Sequence, residues 1–351
     1  MKALSHLCDR PLAALRTTVL LAAVFLPGCA FLAGTPPAQI ATPVPNDRFP
    51  LPQQGNDIVG RVQVAIARQG DSLPEIARRY DLGYEEIIAA NPGVDPWRPG
   101  EGTPVVLPTA FILPDGAREG MVLNLASMRL FYYPKDAQGR VSEVITHPVG
   151  IGREGWRTPQ GTTRIIQKTA NPSWTVPASV RREHAADGDP LPAVVPPGPD
   201  NPLGQYAMRL SMPSYLIHGT NKPWGVGMRV SHGCIRLYPE DIARLFPQVP
   251  VGTPLRIINE PYVTGWRDGQ LYLEAHTPLA EDSRYRKGNL KPLLQMIATR
   301  TTDSPGGINQ DRAEQIAREA RGLPTAVSIG SADIDVLLAM APRVSSTPPW
   351  V

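Results

Sequence analysis

The stretch "LIHGTNKPWGVGMRVSHGCIRLYPEDI", Leu216–Ile242, holds two histidines and one cysteine, in a chain of 351 residues with six histidines and three cysteines in all. An apolar run ends at His218, a loop containing glycine follows, and Cys234 comes directly after Gly233. Pro239 is placed to open a helix. The crowding of reactive side chains within one strand, loop and helix predicts a catalytic centre.

Cys234 and His218 are the pair of groups that such a centre needs. A thiol with a pKa of about 8.5 is mostly neutral at pH 7, so a cysteine nucleophile requires a base or a cation beside it. Histidine is the usual base. We expect the loop to return on itself, to set the two side chains face to face and to hold the thiol as a thiolate. The amides of Gly233 and Cys234 are expected to point at a developing oxyanion, which favours acyl transfer.

A metal site is one alternative, because His218, His232 and Cys234 are all zinc-ligand types. His232 and Cys234 are only two residues apart, however, and other candidate ligands are scattered along the chain. The remaining histidines after the leader are His147, His184 and His276. We therefore predict no metal and no cofactor. A papain-like hydrolase is a second alternative, but it places its cysteine before its histidine, and the order here is reversed.

The first thirty residues predict export. Basic residues precede an apolar run over residues 17–26, which is too short to span a bilayer and ends at "LPGC". The stretch "LPGC" resembles a bacterial lipobox, in which the cysteine that follows the cleavage site carries lipid; here that residue is Cys29. Residues 1–28 are predicted to be a signal peptide of the lipoprotein type. An ordinary signal peptide and an uncleaved anchor are the alternatives.

Cysteine and charge counts narrow the class of protein. Cys8 lies in the leader and Cys29 would take the lipid, which leaves Cys234 without a disulfide partner in the exported part. A lone thiol in an oxidising compartment suggests that its chemistry is used, although a buried structural cysteine is the alternative. The formal charge of +3, without a run of lysine or arginine, disfavours nucleic acid as a partner.

A tether and a small module are predicted before the reactive segment. Residues 29–60 are proline-rich and unpatterned, which predicts an extended tether. Residues 61–108 predict strand, helix, helix and strand, with Ser72 and Glu75 forming a capping box. The stretches "GDSLPEIARRY" and "NPGVDP" resemble a LysM domain, which implies a βααβ module that binds the glycan strands of peptidoglycan. We expect it to hold the chain at the wall without building the active site; a spacer without glycan affinity is the alternative.

Residues 109–260 predict a mostly β domain with short helices. Short apolar stretches such as "MVLNLASMRLFYYP" and "EVITHPVGIG" are separated by turn residues, which is typical of short strands. A polar, proline-rich segment over residues 171–204 is expected to cover the site as a flap. Residues 261–351 predict a hairpin at "DG", 268–269, and two helices, the second closed by Gly322. We have no functional interpretation for this last segment.

With these residues in view, "HGT" followed by "SHGCIRL" resembles the active-site motif of the YkuD-type L,D-transpeptidases, over about residues 111–260. The resemblance implies a β-sandwich or barrel. It also implies an enzyme whose cysteine attacks the third residue of a peptidoglycan tetrapeptide stem, expels the terminal D-alanine and passes the acyl group to an amine. Carbapenem β-lactams inhibit the family. Carried over by position, Cys234 is the nucleophile and His218 is the base.

The same resemblance gives the rest of the motif supporting roles. The carbonyl of Gly219 orients the imidazole, as the third group of a catalytic triad does. Ser231 and His232 shape the pocket, and Gly233 supports the oxyanion. Arg236 recognises a carboxylate of the stem. His232 is expected to be structural rather than to act as the base.

The lipobox, the LysM module and the "IRL" ending together are similar to Gram-negative enzymes that link an abundant outer-membrane lipoprotein to the wall through its terminal lysine. This implies a periplasmic protein that is anchored by lipid in the outer membrane, with peptidoglycan and that lipoprotein as partners. Other relatives crosslink two stems, and water as acceptor gives a carboxypeptidase, so the acceptor stays open. An inactive wall-binding lipoprotein and a metal-dependent peptidase are the alternative functions.

Overall fold

The computed structural model describes residues 47–302 and 307–345. The predicted signal peptide, the lipidation site Cys29 and the tether as far as residue 46 lie outside the described residues. Within the described part, no helix combines the length and the apolar character needed to cross a membrane.

The end of the predicted tether belongs to the folded body. Strand β1 (Arg48–Pro50) pairs antiparallel with residues 143–145, and β2 (Ile58–Gly60) pairs with residues 110–112. Phe49 is buried and meets the ring of Phe111 edge-on, with 6.0 Å between centroids. The prediction of an extended tether is therefore wrong for residues 47–60. Proline at the end of an edge strand costs no ladder hydrogen bond. A proline-rich composition therefore does not exclude these short strands.

The next four elements form the predicted βααβ module, and this prediction is confirmed. They are β3 (Gln63–Ile66), α1 (Leu73–Arg79), α2 (Tyr84–Ala90) and β4 (Pro104–Leu107). Strands β3 and β4 pair antiparallel. Ser72 and Glu75 form the expected capping box, in which the Ser72 side chain accepts from the Glu75 amide and the Glu75 carboxylate accepts from the Ser72 amide.

The catalytic domain is built on a nine-stranded sheet in the order β1-β8-β7-β6-β17-β10-β13-β14-β16. Its elements after the module are β5 (Ala110–Ile112), β6 (Gly120–Asn124), β7 (Arg129–Tyr133), β8 (Glu143–Pro148), β9 (Ile151–Gly152), β10 (Gly161–Ala170), β11 (Trp174–Thr175), α3 (Ala178–Ala186), β12 (Val194–Val195), β13 (Tyr206–Leu210), β14 (Leu216–His218), β15 (Arg229–Ser231), β16 (Ile235–Arg236), α4 (Pro239–Gln248) and β17 (Pro254–Ile258). Strand β10 carries a register shift near Ile165 and bridges the two halves of the sheet. Helix α4 begins at Pro239, as predicted.

Two different partners bury the two faces of this sheet. On β7, Leu130 and Tyr132 belong to a core shared with α4, whereas Phe131 and Tyr133 belong to a core shared with the LysM module. Successive side chains of a strand point to opposite faces, so both faces are covered. Removal of the module would therefore expose the apolar side chains on one face of β6, β7 and β8.

The C-terminal segment adds a third core and returns to the module. Its elements are β18 (Tyr262–Arg267), β19 (Gln270–Ala275), α5 (Lys291–Thr301), α6 (Gln310–Glu319), β20 (Thr325–Ala326), α7 (Ile334–Met340) and β21 (Arg343–Val344). The hairpin turns at Asp268 and Gly269, as predicted, both with positive φ. Helix α6 is closed by Ala320 in the left-handed region and not by Gly322, and α7 was not predicted. Strand β21 pairs in parallel with β3 of the module.

Two buried polar contacts fasten the module to the catalytic domain. Arg129 of β7 makes a bidentate ion pair with Glu86 of α2, at 2.7 and 2.8 Å, with both side chains at least 93% buried. Nearby, His147 Nδ1 lies 3.1 Å from an oxygen of Asp81 and 3.7 Å from an oxygen of Asp241. Burial, together with the facing charge of Asp81, raises the pKa of Asp241 well above its ordinary value.

Glu86→Gln should lower the free energy of unfolding by about 3 kcal/mol, because it leaves the buried guanidinium of Arg129 without a counter-charge. Urea denaturation of both proteins measures the difference. Glu85 is exposed on the same turn of α2 and provides the control. Glu85→Gln should change the stability by less than about 0.5 kcal/mol. Equal effects of the two substitutions would show that the ion pair does not fasten the module.

Asp241→Asn should make thermal stability less sensitive to rising pH. Because the folded-state pKa of Asp241 is raised, its contribution is fully present below the unfolded pKa and is lost as pH rises through the folded pKa. Asparagine keeps the shape of the neutral acid and does not ionise. Melting curves recorded from acidic to alkaline pH should show the Tm of the wild type falling relative to the variant. Parallel curves would contradict a protonated Asp241.

Candidate active site

Strand pairing places the reactive side chains on one face. Strands β14 and β16 pair in parallel, with Ile217 opposite Ile235 and His218 opposite Arg236. Both isoleucines are fully buried in the core on one side of the sheet. Because side chains alternate along a strand, His218 and Arg236 lie on the other face, and Cys234, two residues before Arg236, lies on that side as well. The structure thus brings together the histidine and the cysteine that the sequence singled out.

His218 is held as a neutral imidazole. Its Nδ1 lies 2.6 Å from the carbonyl oxygen of Gly219 and donates to it, which leaves Nε2 as the acceptor. Burial, followed by the charge of Arg236, lowers the pKa of His218 to about 3, against the opposing effect of the Gly219 carbonyl. The imidazole therefore carries no charge at neutral pH. This contact agrees with the role predicted for the Gly219 carbonyl, which is to orient the imidazole ring.

Cys234 is the free cysteine of the described residues and is half-buried. Its sulfur lies 3.7 Å from the carbonyl oxygen of Ser214. Burial raises the pKa of the thiol, although a hydrogen bond from the Leu216 backbone and the charge of Arg236 act in the opposite direction. The expectation of a resting thiolate is therefore wrong: the pair rests as thiol and neutral imidazole. Desolvation decides this, and it comes from tertiary packing that the motif does not reveal.

Gly233 and Ser231 fix the backbone that leads to the nucleophile. Gly233 has a φ of 103°, and a Cβ there would lie 2.8 Å from the ring of Tyr215, so glycine is required. Its amide donates to Ser231 Oγ at 3.1 Å, and Ser231 Oγ donates to the Cys234 carbonyl at 2.6 Å. The expectation that the Gly233 amide points at an oxyanion is wrong, because Ser231 already accepts from it. Sequence reasoning missed Thr158, whose hydroxyl donates to the Gly233 carbonyl at 2.8 Å.

His232 faces the flap. Its Nε2 lies 2.7 Å from a carboxylate oxygen of Glu183 on α3, and its ring meets Trp156 edge-on with 4.8 Å between centroids. Arg153 pairs with the same carboxylate. The predicted flap over residues 171–204 thus contains α3 and the short β11–β12 ribbon, and Glu183 fastens it to the segment just before Cys234. These contacts agree with a structural role for His232.

Arg236 offers a cation beside the reactive pair. Within residues 47–302 and 307–345, no carboxylate forms an ion pair with its guanidinium, and its buried Nε has no hydrogen-bond partner. Its charge acts on both His218 and Cys234. A buried donor without a partner is costly, so this group is suited to an anion brought by a ligand.

The loop that joins the base to the nucleophile rests on the LysM module. The amides of Tyr84 and Glu85, at the start of α2, donate to the carbonyls of Val226 and Gly227 at 3.3 and 3.1 Å. A Cβ at Gly227 would lie 2.3 Å from the Cα of Gly83, so the two backbones touch. No local pattern predicts this contact, because its two sides are more than 130 residues apart.

The side chains with spacing suited to a metal ion lie away from His218 and Cys234. In the described ranges, the group of side chains with spacing suited to an ion is Asp81, His147 and Asp241, at the contact between module and catalytic domain. The three zinc-type side chains of the motif do not belong to it. His184 and His276 contact Asp189 and Glu274 elsewhere.

Comparison of the chain with known proteins identifies its family. A family profile described as the L,D-transpeptidase catalytic domain matches residues 118–257, and one described as a LysM domain matches residues 66–106. The chain is 41% identical over 281 residues to the probable L,D-transpeptidase YbiS of Escherichia coli K12, which covers 79% of this chain and 90% of that protein. It is 40% identical over 287 residues to the probable L,D-transpeptidase ErfK/SrfK of Salmonella typhimurium LT2, covering 80% and 91%. The chain belongs to the YkuD-type L,D-transpeptidases.

A solved L,D-transpeptidase from Mycobacterium smegmatis matches 44% of this chain at 22% identity, with a TM-score of 0.30. The match covers 63% of that protein, less than two thirds of its length. Family membership confirms the predicted fold class, a strand-rich catalytic domain with a LysM module. It makes the protein an enzyme, an L,D-transpeptidase, and its two domains imply binding to peptidoglycan in the bacterial cell wall.

The rate of Cys234 acylation should show no acid-side inflection near 6.5, the ordinary pKa of histidine. Because the pKa of His218 is lowered to about 3, the base stays neutral across that region. The second-order rate of acylation by a carbapenem, followed by intact-protein mass spectrometry at a series of pH values, measures this. An acid limb with a midpoint near 6.5 would instead indicate that His218 titrates as an exposed histidine does.

Proposed function

We propose that the protein transfers the acyl group of a tetrapeptide stem through Cys234, with His218 as general base. His218 Nε2 takes the thiol proton as the sulfur attacks the carbonyl carbon of the third residue. The same imidazole then gives this proton to the departing amine, and D-alanine leaves with a thioester remaining on the enzyme. The observation that carries the proposal is the shared face of a neutral His218 and the Cys234 thiol on paired strands.

Deacylation reverses the proton path. An acceptor amine attacks the thioester carbon, His218 takes a proton from the attacking nitrogen and returns it to the departing sulfur, and an amide is formed. The Cys234 amide is the backbone donor that we assign to the oxyanion, since the Gly233 amide is bound to Ser231. The guanidinium of Arg236 binds a carboxylate of the stem. Its buried Nε, without a partner among the described residues, supports this role.

The candidate acceptors are the terminal lysine of an outer-membrane lipoprotein, a second stem and water. We also propose that residues 1–28 direct export and that Cys29 carries the lipid, which anchors the enzyme in the periplasm. The LysM module then holds the glycan strand. An exposed Trp97, whose ring lies 6.2 Å from that of Tyr84, supports a sugar-binding surface on the module.

Cys234→Ala should lower D-alanine release from a tetrapeptide stem by at least about 10³-fold while Tm stays near that of the wild type. His218→Ala should lose activity to a similar extent, because no base then accepts the thiol proton. His232→Ala should lose less, since its imidazole binds Glu183 of the flap. Liquid chromatography with mass detection of D-alanine gives the rates. Equal losses in the two histidine variants would refute this division of roles.

Products formed from purified muropeptides identify the acceptor. Full-length protein is incubated with tetrapeptide stems, with and without a peptide that ends in the lipoprotein's lysine. A product with the peptide joined to the stem supports the lipoprotein acceptor. Stem dimers alone would show crosslinking, and tripeptides alone would show a carboxypeptidase. No released D-alanine at all, from a protein shown to be folded, would favour an inactive wall-binding lipoprotein.

A further inference from the structure

Three buried side chains meet where the LysM module contacts the catalytic domain. Asp81 lies between α1 and α2 of the module, His147 lies on β8, and Asp241 lies in the first turn of α4. Their side chains are 10%, 1% and 2% exposed. One ligand atom from each lies within 4.8 Å of the other two. The fold therefore brings together an imidazole nitrogen and two carboxylate oxygens, which are all zinc-ligand types.

The separations of these atoms suit a tetrahedral ion. His147 Nδ1 lies 3.1 Å from Asp81 Oδ2 and 3.7 Å from Asp241 Oδ2. Ligands bound at about 2.0–2.2 Å in a tetrahedral zinc site lie about 3.3–3.6 Å apart. The two distances bracket this range, so zinc fits with small movements of the side chains. Calcium and magnesium fit less well, because they prefer oxygen ligands in larger number.

An unpartnered oxygen is directed into this cluster. Asp241 Oδ2 is buried and accepts no hydrogen bond from the residues that the structure describes. It faces His147 Nδ1 at 3.7 Å, which is too long for a hydrogen bond. Asp81 Oδ1 is also buried without a partner in that part of the chain. Unpaired buried carboxylate oxygens are costly, and a cation bound between them removes this cost.

The charges around the cluster suit a divalent cation. Asp81 and Asp241 carry two negative charges when both are ionised. The buried guanidinium of Arg129, which lies nearby, is already paired with Glu86. Arg244 donates to Asp241 Oδ1 at 2.8 Å, but its side chain is 47% exposed, and Oδ2 still faces the cluster. A zinc ion balances the charge of both carboxylates.

We propose that Asp81, His147 and Asp241 bind one zinc ion, which joins the LysM module to the catalytic domain. The protein ligands are His147 Nδ1, an oxygen of Asp81 and Asp241 Oδ2, and water completes the tetrahedron. His147 Nε2 then carries the ring proton. The ion is structural and takes no part in acyl transfer. In the metal-free protein, a proton on Asp241 holds the two carboxylates together instead.

Zinc retention and thermal stability test the proposal. Full-length protein is dialysed against a chelator, returned to chelator-free buffer and mixed with zinc sulfate. After gel filtration, mass spectrometry of the elements should find one zinc ion per chain. Tm should rise by at least about 3 °C when free zinc is about 100-fold above its dissociation constant, because the ligands are held together only in the folded protein. Magnesium at the same concentration should leave Tm unchanged.

Four variants locate the ion. Asp241→Asn and His147→Gln should each lose the zinc and the rise in Tm, because a neutral amide is a poor zinc ligand. Asp241→Asn keeps the shape of the protonated acid, so it carries the test if His147→Gln does not fold. His276→Gln is the matched control, since His276 is a buried histidine 2.8 Å from Glu274, in a pair outside this cluster. It should keep the zinc, and so should Cys234→Ala.

Three results would overturn the proposal. Wild-type protein without bound zinc would show that a proton alone joins the two carboxylates. Zinc lost from Cys234→Ala but kept in His147→Gln would assign the ion to the catalytic motif. A rise in Tm with magnesium but not with zinc would show a cation site of another kind. Cobalt bound in place of zinc gives an independent readout: a sulfur-to-cobalt charge-transfer band would also contradict the three ligands that we assign.

Discussion

The short parallel pairing of β14 with β16 is the constraint on which the active site depends. Two residues on each strand are in register, and the buried Ile217 and Ile235 fix which face each strand turns inward. A slip of one residue would send His218 into the core and an isoleucine to the site. The core that contains Ile217, Ile235 and the apolar side chains of α4 buries one side of this pair of strands. Packing in the core on the opposite face therefore holds His218 and Cys234 in place.

The same burial sets the protonation states. Enclosing both groups lowers the pKa of His218 and raises that of Cys234, so each is pushed toward its neutral form. A neutral pair keeps the thiol less prone to oxidation in an oxidising compartment, since thiolates are the reactive species. In the mechanism that we propose, the thiol becomes nucleophilic when a substrate is in place and the imidazole takes its proton. In the same proposal Arg236, on the same face, binds a carboxylate of the stem.

The sequence predicted the elements whose signals are local. The capping box at Ser72, the turn at Asp268, the helix opened by Pro239 and the placement of His218 near Cys234 depend on a few adjacent residues. Predictions failed where distant segments decide the outcome. The strand at Phe49, the second covered face of β7 and the thiol pKa all depend on packing partners remote in the chain. Thr158 could not be found because no motif links it to Cys234.

The contact between Gly83 of the module and Gly227 of the catalytic loop has a geometric consequence for the cell wall. In the proposed function, a glycan strand bound by the module and a peptide bound to Cys234 would be held at a separation set by this contact, because backbone meets backbone without an intervening side chain. The distance between the glycan site and the peptide site would then be fixed. The enzyme would join peptides only at a set distance from the bound glycan strand. This distance would determine the spacing of the new peptide bonds along the wall.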